Sequence, residues 1–565
     1  MIRKVLVILS ATALLLGLLA GSLPAGAAQV MHRAEVVPLR PEVVAQYQAA
    51  GKPSPELQFP GGVNKGRRFA APDGEPLGQL TVPNTLKALV ILVEFSDTTH
   101  TYDRTIFEEM ILDTEYDPDG NEVTLPDGTV HHGPTDRTLQ NYFNEITYGG
   151  VNMTGTIVEW VEVDHPYSYY CSAEYPYWWG FGVYPRNVQG LVQDAVLELD
   201  AAGFPFSEFD TVDPYDRDKD GEYFEPDGWV DNLFVVHTGS GAEWTGQVDV
   251  IWSHSWDMSV DDYGNPVDEV KVDGVQIMDY SMEPEYGGDP TGPNGEVDEP
   301  FPPTVGVYAH EFGHVLGLPD EYDYGYESEG TGNWSMMAGG SWSYYPKLPS
   351  PYYWVFLGNS PPRPSAWGTY RMGFADPSEV PPEGLEDVTI PPIEEYPVIY
   401  KIDVPFSNGT EYFLVENRQQ IGFDQGLGRM GPQAHGLLIY HIDENVLLED
   451  YWRPNEAECW HMNNANCTKV NIENGQTHYG ISLEQADGRF ELEKGKNGGN
   501  AGDSFPGALG NRTFSATSTP NSSSFYFWNG YSPVPGTSGV LVTNINENDD
   551  QTITVDLGYK GQGKW

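Results

Sequence analysis

Apolar residues run almost unbroken from Leu86 to Phe95 (LKALVILVEF), the pattern of a strand buried on both faces. Leu139 to Tyr148 (LQNYFNEITY) repeats at helical spacing and stops at Gly149-Gly150, where a helix can end. Val151 to Val163 alternates like a strand, and Val188 to Leu199 returns to the helical period. A second buried strand is predicted over Val230 to His237 (VDNLFVVH). Thr304 to Leu316 is helical by pattern, with Gly317 to stop it and Pro319 behind. Beyond residue 380 the helical periods vanish. Short strands recur instead, at Val398–Val404, Glu411–Glu416, Gly436–His441, Val540–Ile545 and Gln551–Leu557, separated by Gly, Asn and Ser. The expected fold class is α+β: a mixed helix-and-strand body over residues 85–380, then a β-rich, sandwich-like domain over 381–565.

The N-terminus suggests a compartment. Arg3 and Lys4 precede an apolar run from Val5 to Ala20, and small residues lead to Ala25-Gly26-Ala27-Ala28. That is the layout of a cleavable signal peptide, residues 1–28. A membrane anchor is the other reading, but the run is short for a bilayer span of ~20 residues. No later stretch is apolar enough to span, so a secreted, extracellular product is expected. Residues 29–84 hold Lys65, Arg67 and Arg68, a basic cluster in an otherwise acidic chain. A propeptide matured near that cluster is expected, and a plain linker is the alternative. Asp73, in a Pro-Asp-Gly turn, is one candidate to block a metal from the pro-region. Export permits disulfides, and Cys459 and Cys467 share a polar loop and are expected to bridge. Cys171 is left as a buried free thiol, and no cysteine lies in residues 29–84.

Composition narrows the partners. The chain has 565 residues, with 29 Lys+Arg against 83 Asp+Glu and a net charge of −54. Length alone allows two to four domains of ~100–200 residues. So acidic a surface repels phosphate backbones and anionic membranes, so neither nucleic acid nor membrane is expected as a partner. It attracts cations, calcium above all. Disorder is excluded by a hydrophobic share of 39% and an aromatic share of 13%, which need a core. A monomer is expected.

Residues 310–320 read HEFGHVLGLPD. His310 and His314 are four apart on one helical face, the spacing two imidazoles need to bind one zinc. Glu311, beside the first of them, can act as general base on a water at that zinc. Gly317 permits a left-handed turn, Pro319 enforces the break, and the returning chain brings Asp320 as an oxygen ligand. Three protein ligands leave one position open, the catalytic pattern. Downstream, GNWSMMAGGSW places Met336 and Met337 where metzincins keep a methionine floor below the metal.

These residues resemble the immune-inhibitor-A-type secreted metalloproteases, a metzincin-like family. HEFGHVLGLPDEYD carries the likeness, with Asp at the third ligand position. LQNYFNEITYGGVNMTG, DRDKDGEYFEPDGWVDNLFVVHTGSG, EYFLVENRQ, GLLIYHID and SLEQADGRFELEKGKNGGNAGDSFPG extend it over residues 85–560. The resemblance implies a zinc endopeptidase acting on protein or peptide substrates, with a β-rich C-terminal module and structural calcium. It implies His310, His314 and Asp320 as zinc ligands and Glu311 as base, although Glu321 is adjacent to the third ligand. Longer relatives carry further C-terminal binding domains, for which this chain is expected to have no space beyond Lys560.

Asp216, Asp218 and Asp220 alternate, followed by Gly221 and, at the twelfth loop position, Asp227. That spacing predicts a calcium loop. Pro214 and Pro226 oppose the helices of an EF-hand, and a solvated acidic turn is the alternative. Asp117, Asp119 and Asn121 form a weaker copy. Tyr344 and Tyr345 are candidates to donate to a transition-state oxyanion, though packing is the commoner role of a tyrosine. His237 and His254 read as structural. No G-x-S-x-G elbow occurs. A secreted adhesion or carbohydrate-binding protein with a merely structural metal is the competing reading, and a zinc hydrolase of non-peptide bonds a third. Glu311 argues against the first of these, since a closed structural zinc needs no base beside it.

Overall fold

The computed structural model describes residues 35–51, 79, 82–118, 121–213, 218, 220–288, 300–405, 407–449, 453–455, 479–528 and 533–560. The signal peptide, Asp73, the basic cluster Lys65–Arg68, Asp119, Asp216, Cys459 and Cys467 lie outside them. Among the described residues no helix is long and apolar enough to cross a membrane.

One mixed sheet organises the first half. Its strands are β1 (Glu35–Val36), β2 (Thr85–Phe95), β3 (Asn152–Ile157), β4 (Val161–Val163), β5 (Asn232–Ser240), β6 (His254–Asp257) and β7 (Asp279–Tyr286). The order is β1-β6-β7-β5-β2-β3, with β4 also on β2. The β2, β5 and β7 strands run parallel, whereas β6 runs antiparallel to β7 and β1 antiparallel to β6. The unbroken apolar run of β2 is explained by its neighbours: Ala88 to Val93 are all buried.

Helices α1 (Pro41–Ala49), α2 (Arg104–Ile111), α3 (Leu139–Ile146), α4 (Val188–Ala201) and α5 (Val305–Val315) surround the sheet. Local chemistry sets their starts. Thr138 accepts from Asn141 N at 3.0 Å, and Asn187 accepts from Gly190 N at 3.0 Å, so each caps its helix. Both ends of α3 match the expectation within two residues, and Tyr148 and Gly149 then turn the chain with φ of 56° and 76°. The expected strand over Val151–Val163 is two strands. Thr85–Val90 pair with Asn152–Ile157, and Val93–Phe95 pair with Val161–Val163. Three residues, 158–160, therefore oppose two, 91–92, and the extra one breaks the ladder.

In the second half, strands β8 (Ser378–Glu379), β9 (Leu385–Ile390), β10 (Tyr400–Asp403), β11 (Glu411–Arg418), β12 (Gly436–Asp443), β13 (Ile481–Leu483), β14 (Thr513–Phe514), β15 (Val540–Glu547) and β16 (Ile553–Tyr559) form two sheets. One has the order β8-β10-β11-β12-β13, the other β9-β16-β15-β14. Alternation along β11 and β12 divides them between two cores. Phe413, Val415, Leu437 and Ile439 join an apolar cluster with Val542, Val555 and Leu557 of the second sheet. Leu414, Leu438, Tyr440 and Ile442 point the other way, into the large cluster of the first half. Every residue of both strands is buried as a result. All five strands expected here are present, with ends shifted by about two residues at most.

Candidate metal centre and cleft

Helix α5 is fixed by its middle. Phe312 stacks on Phe234 of β5 at 4.9 Å and meets Phe143 of α3 edge-on at 5.2 Å. Tyr308 donates to Pro284 O at 2.9 Å. Gly306 lies where a Cβ would stand 2.1 Å from Ser341 O and 2.8 Å from Gly358 Cα, so only glycine permits this crossing. The helix stops as its composition demands. Gly317 takes φ 94°, its N–H bonds His314 O at 2.8 Å, and Leu318 N bonds Gly313 O at 2.9 Å. The chain then reverses and delivers Asp320.

His310 Nε2, His314 Nε2 and Asp320 Oδ1 form a buried triangle. The edges are 3.2 Å between the two nitrogens, 3.1 Å from His310 to Asp320 and 3.4 Å from His314 to Asp320. Each Nδ1 faces a carbonyl oxygen, Met336 O at 2.9 Å and Leu318 O at 2.8 Å. A carbonyl only accepts, so the proton of each ring is assigned to Nδ1 and each Nε2 carries a lone pair. Three electron-rich atoms thus meet in a space closed to water. One cation relieves that crowding, and ligand bonds of ~2.1 Å in tetrahedral array put donor atoms ~3.4 Å apart. The residues present fit a zinc ion. Burial lowers the His310 pKa, with Asp320 opposing. Burial works against the Asp320 carboxylate, but the two histidines hold it well below its usual range.

Around the triangle, Tyr324 donates to Asp320 Oδ2 at 2.5 Å, an outer contact that fixes the carboxylate. Glu321 is turned away. It accepts from Ser365 Oγ at 2.7 Å and Thr331 Oγ1 at 3.0 Å, and burial raises it to about 7. Met336 and Met337 are fully buried, and both side chains press on Gly313, where a Cβ would lie 2.5 Å from Met337 Sδ. Glu311 is sealed, and burial, then Glu283, raises its pKa well above the ordinary carboxylate value.

What seals it is the chain's own N-terminal segment. The Glu35–Val36 strand pairs antiparallel to the sheet edge at Ser255 and His254. Its backbone is then gripped atom by atom. Tyr322 OH donates to Val36 O at 2.6 Å, and Val37 N donates to Glu311 Oε1 at 2.8 Å. Trp252 Nε1 donates to Val37 O and Trp342 Nε1 to Pro38 O, both at 2.8 Å. Leu39 N donates to Tyr326 OH at 2.8 Å. The sequence reading missed Tyr322, Tyr326, Trp252 and Trp342. The alternating tyrosines of DEYDYGY, the stretch that opens with Asp320, were the available signal.

Other expected residues go elsewhere. Tyr344 stacks on Tyr353 at 4.8 Å with Arg429 over its ring, and Tyr345 is 40% exposed. Asp218 and Asp220 come together, but with Glu225 rather than Asp227. Asp227 instead takes its own N–H bond to Asp210 at 2.8 Å and accepts from Trp229 N at 2.8 Å, closing a turn. Asn121 donates to Asp117 Oδ1 at 3.1 Å, as a turn partner does. Cys171 is buried and free, its thiol pushed up by burial. His237 and His254 are buried with carbonyl partners and lowered by burial to about 4 and about 3.

Residues 78–347 match the catalytic domain of immune inhibitor A peptidase M6. This catalytic domain belongs to the immune inhibitor A peptidase M6 family. The M6 domain is similar to immune inhibitor A of Bacillus thuringiensis subsp. alesti, 31% identical over 279 residues, 46% of this chain and 36% of that protein. It is also similar to the pre-pro-metalloprotease PrtV of Vibrio cholerae serotype O1 (strain M66-2), 28% identical over 298 residues, 50% of this chain and 29% of that protein. In both cases the matched stretch is well under half of the relative's length.

Proposed function

We propose that this chain is a secreted zinc-dependent endopeptidase of extracellular proteins, made as a zymogen. The observation that carries the reading is Glu311 beside the three-donor triangle with a peptide N–H on its carboxylate. His310, His314 and Asp320 would hold the zinc, which when bound supplies Lewis acidity to the substrate carbonyl. Glu311 takes a proton from the attacking water and returns it to the leaving nitrogen. The M6 peptidase match and the metalloprotease name of PrtV support the reading. We read the fold as metzincin-like, with Met336 and Met337 as its floor and the two-sheet region as a sandwich-like second domain.

Latency follows from the threaded segment. Residues 36–39 lie where substrate backbone must lie, so the described form is closed. Release requires cutting this segment from the chain, and the basic cluster Lys65–Arg68 is the proposed site. Calcium is proposed at Asp218 and Asp220 with Glu225 joining them, and a calcium-selective chelator should lower the melting temperature at constant zinc.

The deciding experiment is casein hydrolysis by wild type and Glu311→Gln, with and without a zinc chelator. Chelator-sensitive cleavage by wild type, lost by several orders of magnitude in a folded, zinc-loaded Glu311→Gln, is expected. Near-wild-type turnover by that variant rejects the assignment.

A further inference from the structure

Five hydrogen bonds hold residues 36–39, and all five go to peptide atoms rather than to side chains of the segment. The cleft therefore binds an extended backbone, added antiparallel to the β6 edge. Within that backbone one peptide bond is held at both ends. The Val37 nitrogen touches Glu311 Oε1, and the Val36 oxygen touches the Tyr322 hydroxyl. Hydrolysis of a peptide bond asks for a proton carrier at its nitrogen and a hydrogen-bond donor at its oxygen. Glu311 is the first. We propose that Tyr322 is the second, the catalytic residue whose hydroxyl stabilises the oxyanion. The assignment rests on the endopeptidase reading above.

The step balances on named atoms. Water oxygen bonds to the carbonyl carbon and its proton passes to Glu311. The C=O electron pair moves onto the oxygen that accepts from Tyr322. The C–N bond then breaks, and the proton on Glu311 goes to the departing nitrogen. Tyr322 keeps its own proton and contributes a hydrogen bond that strengthens as charge develops.

The surroundings hold the donor ready. Tyr322 is 3% exposed, and its ring stacks on Tyr324 at 5.0 Å and 18°. Tyr324 in turn donates to Asp320, so the hydroxyl is registered to the loop that delivers the third donor of the triangle. A donor locked before reaction needs no reorganisation during it. A purely structural tyrosine would be poorly served here: its partner Val36 belongs to the segment that maturation removes. A substrate-binding hydroxyl requires just such a replaceable partner.

The test uses Tyr322→Phe, which keeps the ring stack, in the full chain brought to its active form by limited proteolysis. The expected result is a fall in kcat of ~10²–10³ with KM within about threefold. Zinc content by mass spectrometry should match wild type. Affinity for a phosphinic peptide, whose tetrahedral oxygens mimic the oxyanion, should fall far more than affinity for a cleavable peptide of the same sequence. A kcat within threefold of wild type, or equal losses for both peptides, overturns the assignment. Glu311→Gln is run alongside. If it too retains activity, the endopeptidase reading has failed; if it alone is inactive, only Tyr322 has.

Discussion

Asp320 and Glu321 are adjacent carboxylates with different surroundings, and the difference is measurable. Asp320 Oδ1 faces both histidine nitrogens, whereas Glu321 is engaged with Ser365 and Thr331. Asp320→Ala should cost at least ~100-fold in zinc affinity, more than loss of an outer contact, while Glu321→Gln should retain zinc. Metal content by mass spectrometry checks the pair, and equal loss in both would remove Asp320 from the ligand set. Tyr324→Phe, which frees Asp320 Oδ2, is expected to weaken zinc by ~10–100-fold without touching a ligand. The four residues His310, Glu311, His314 and Asp320 were legible because helix pitch and a glycine stop place them locally. Tyr322 and Trp342 were not, because their partners Val36 and Pro38 lie 286 and 304 residues away. Spacing likewise did not show that Glu225 would join Asp218 and Asp220, or that Asp227 would accept from Trp229 N.

Helix α5 carries His310, Glu311 and His314 together, so its seating sets two corners of the triangle. Gly306 touches the Gly339–Trp342 turn and the Gly358 backbone, neither of which can yield as a side-chain tip can. Gly306→Ala should destabilise by ~1–3 kcal/mol and loosen the zinc, though it lies a full turn from His310. Urea titration of stability with parallel zinc analysis decides this; an unchanged midpoint would mean the crossing relaxes freely. Elements of this kind were readable where one period persisted. The β2 run, α4 and α5 are long and uniform, and appear with ends close to those expected. The division of Val151–Val163 into β3 and β4 was hidden, because one inserted residue leaves local alternation nearly intact. Short β13, with three residues, carries too few positions to show a period at all.

Charge and closure act on the whole molecule. Burial raises Glu493 to about 8 and Asp503 to about 7, against ordinary values near 4. The folded chain therefore keeps protons on these groups that the unfolded chain releases. Their favourable contribution is full below about pH 4 and is lost as pH climbs through 7 to 8. Glu493→Gln, which stays neutral, should flatten the decline in urea midpoint between pH 5.5 and 8.5; a parallel decline in variant and wild type would count against it.

On the proposed zymogen reading, the N-terminal segment couples latency to stability. The segment is more than a cover, because Val36, Val37, Leu39 and Val43 belong to the large core cluster. Burying such a side chain contributes ~1.5–3 kcal/mol relative to exposing it. Cutting the segment away surrenders those contacts, the β1 pairing and the five backbone bonds, and opens Trp252 and Trp342 to water. On the proposed zymogen reading, the uncut chain is thus the more stable form. The mature enzyme, separated from its released segment by gel filtration, should melt several degrees below the full chain. Adding back a peptide spanning residues 35–49 should restore the melting temperature and suppress cleavage in parallel. A mature form that melts with the zymogen, its segment demonstrably gone, would show that these residues cover the cleft without supporting the fold.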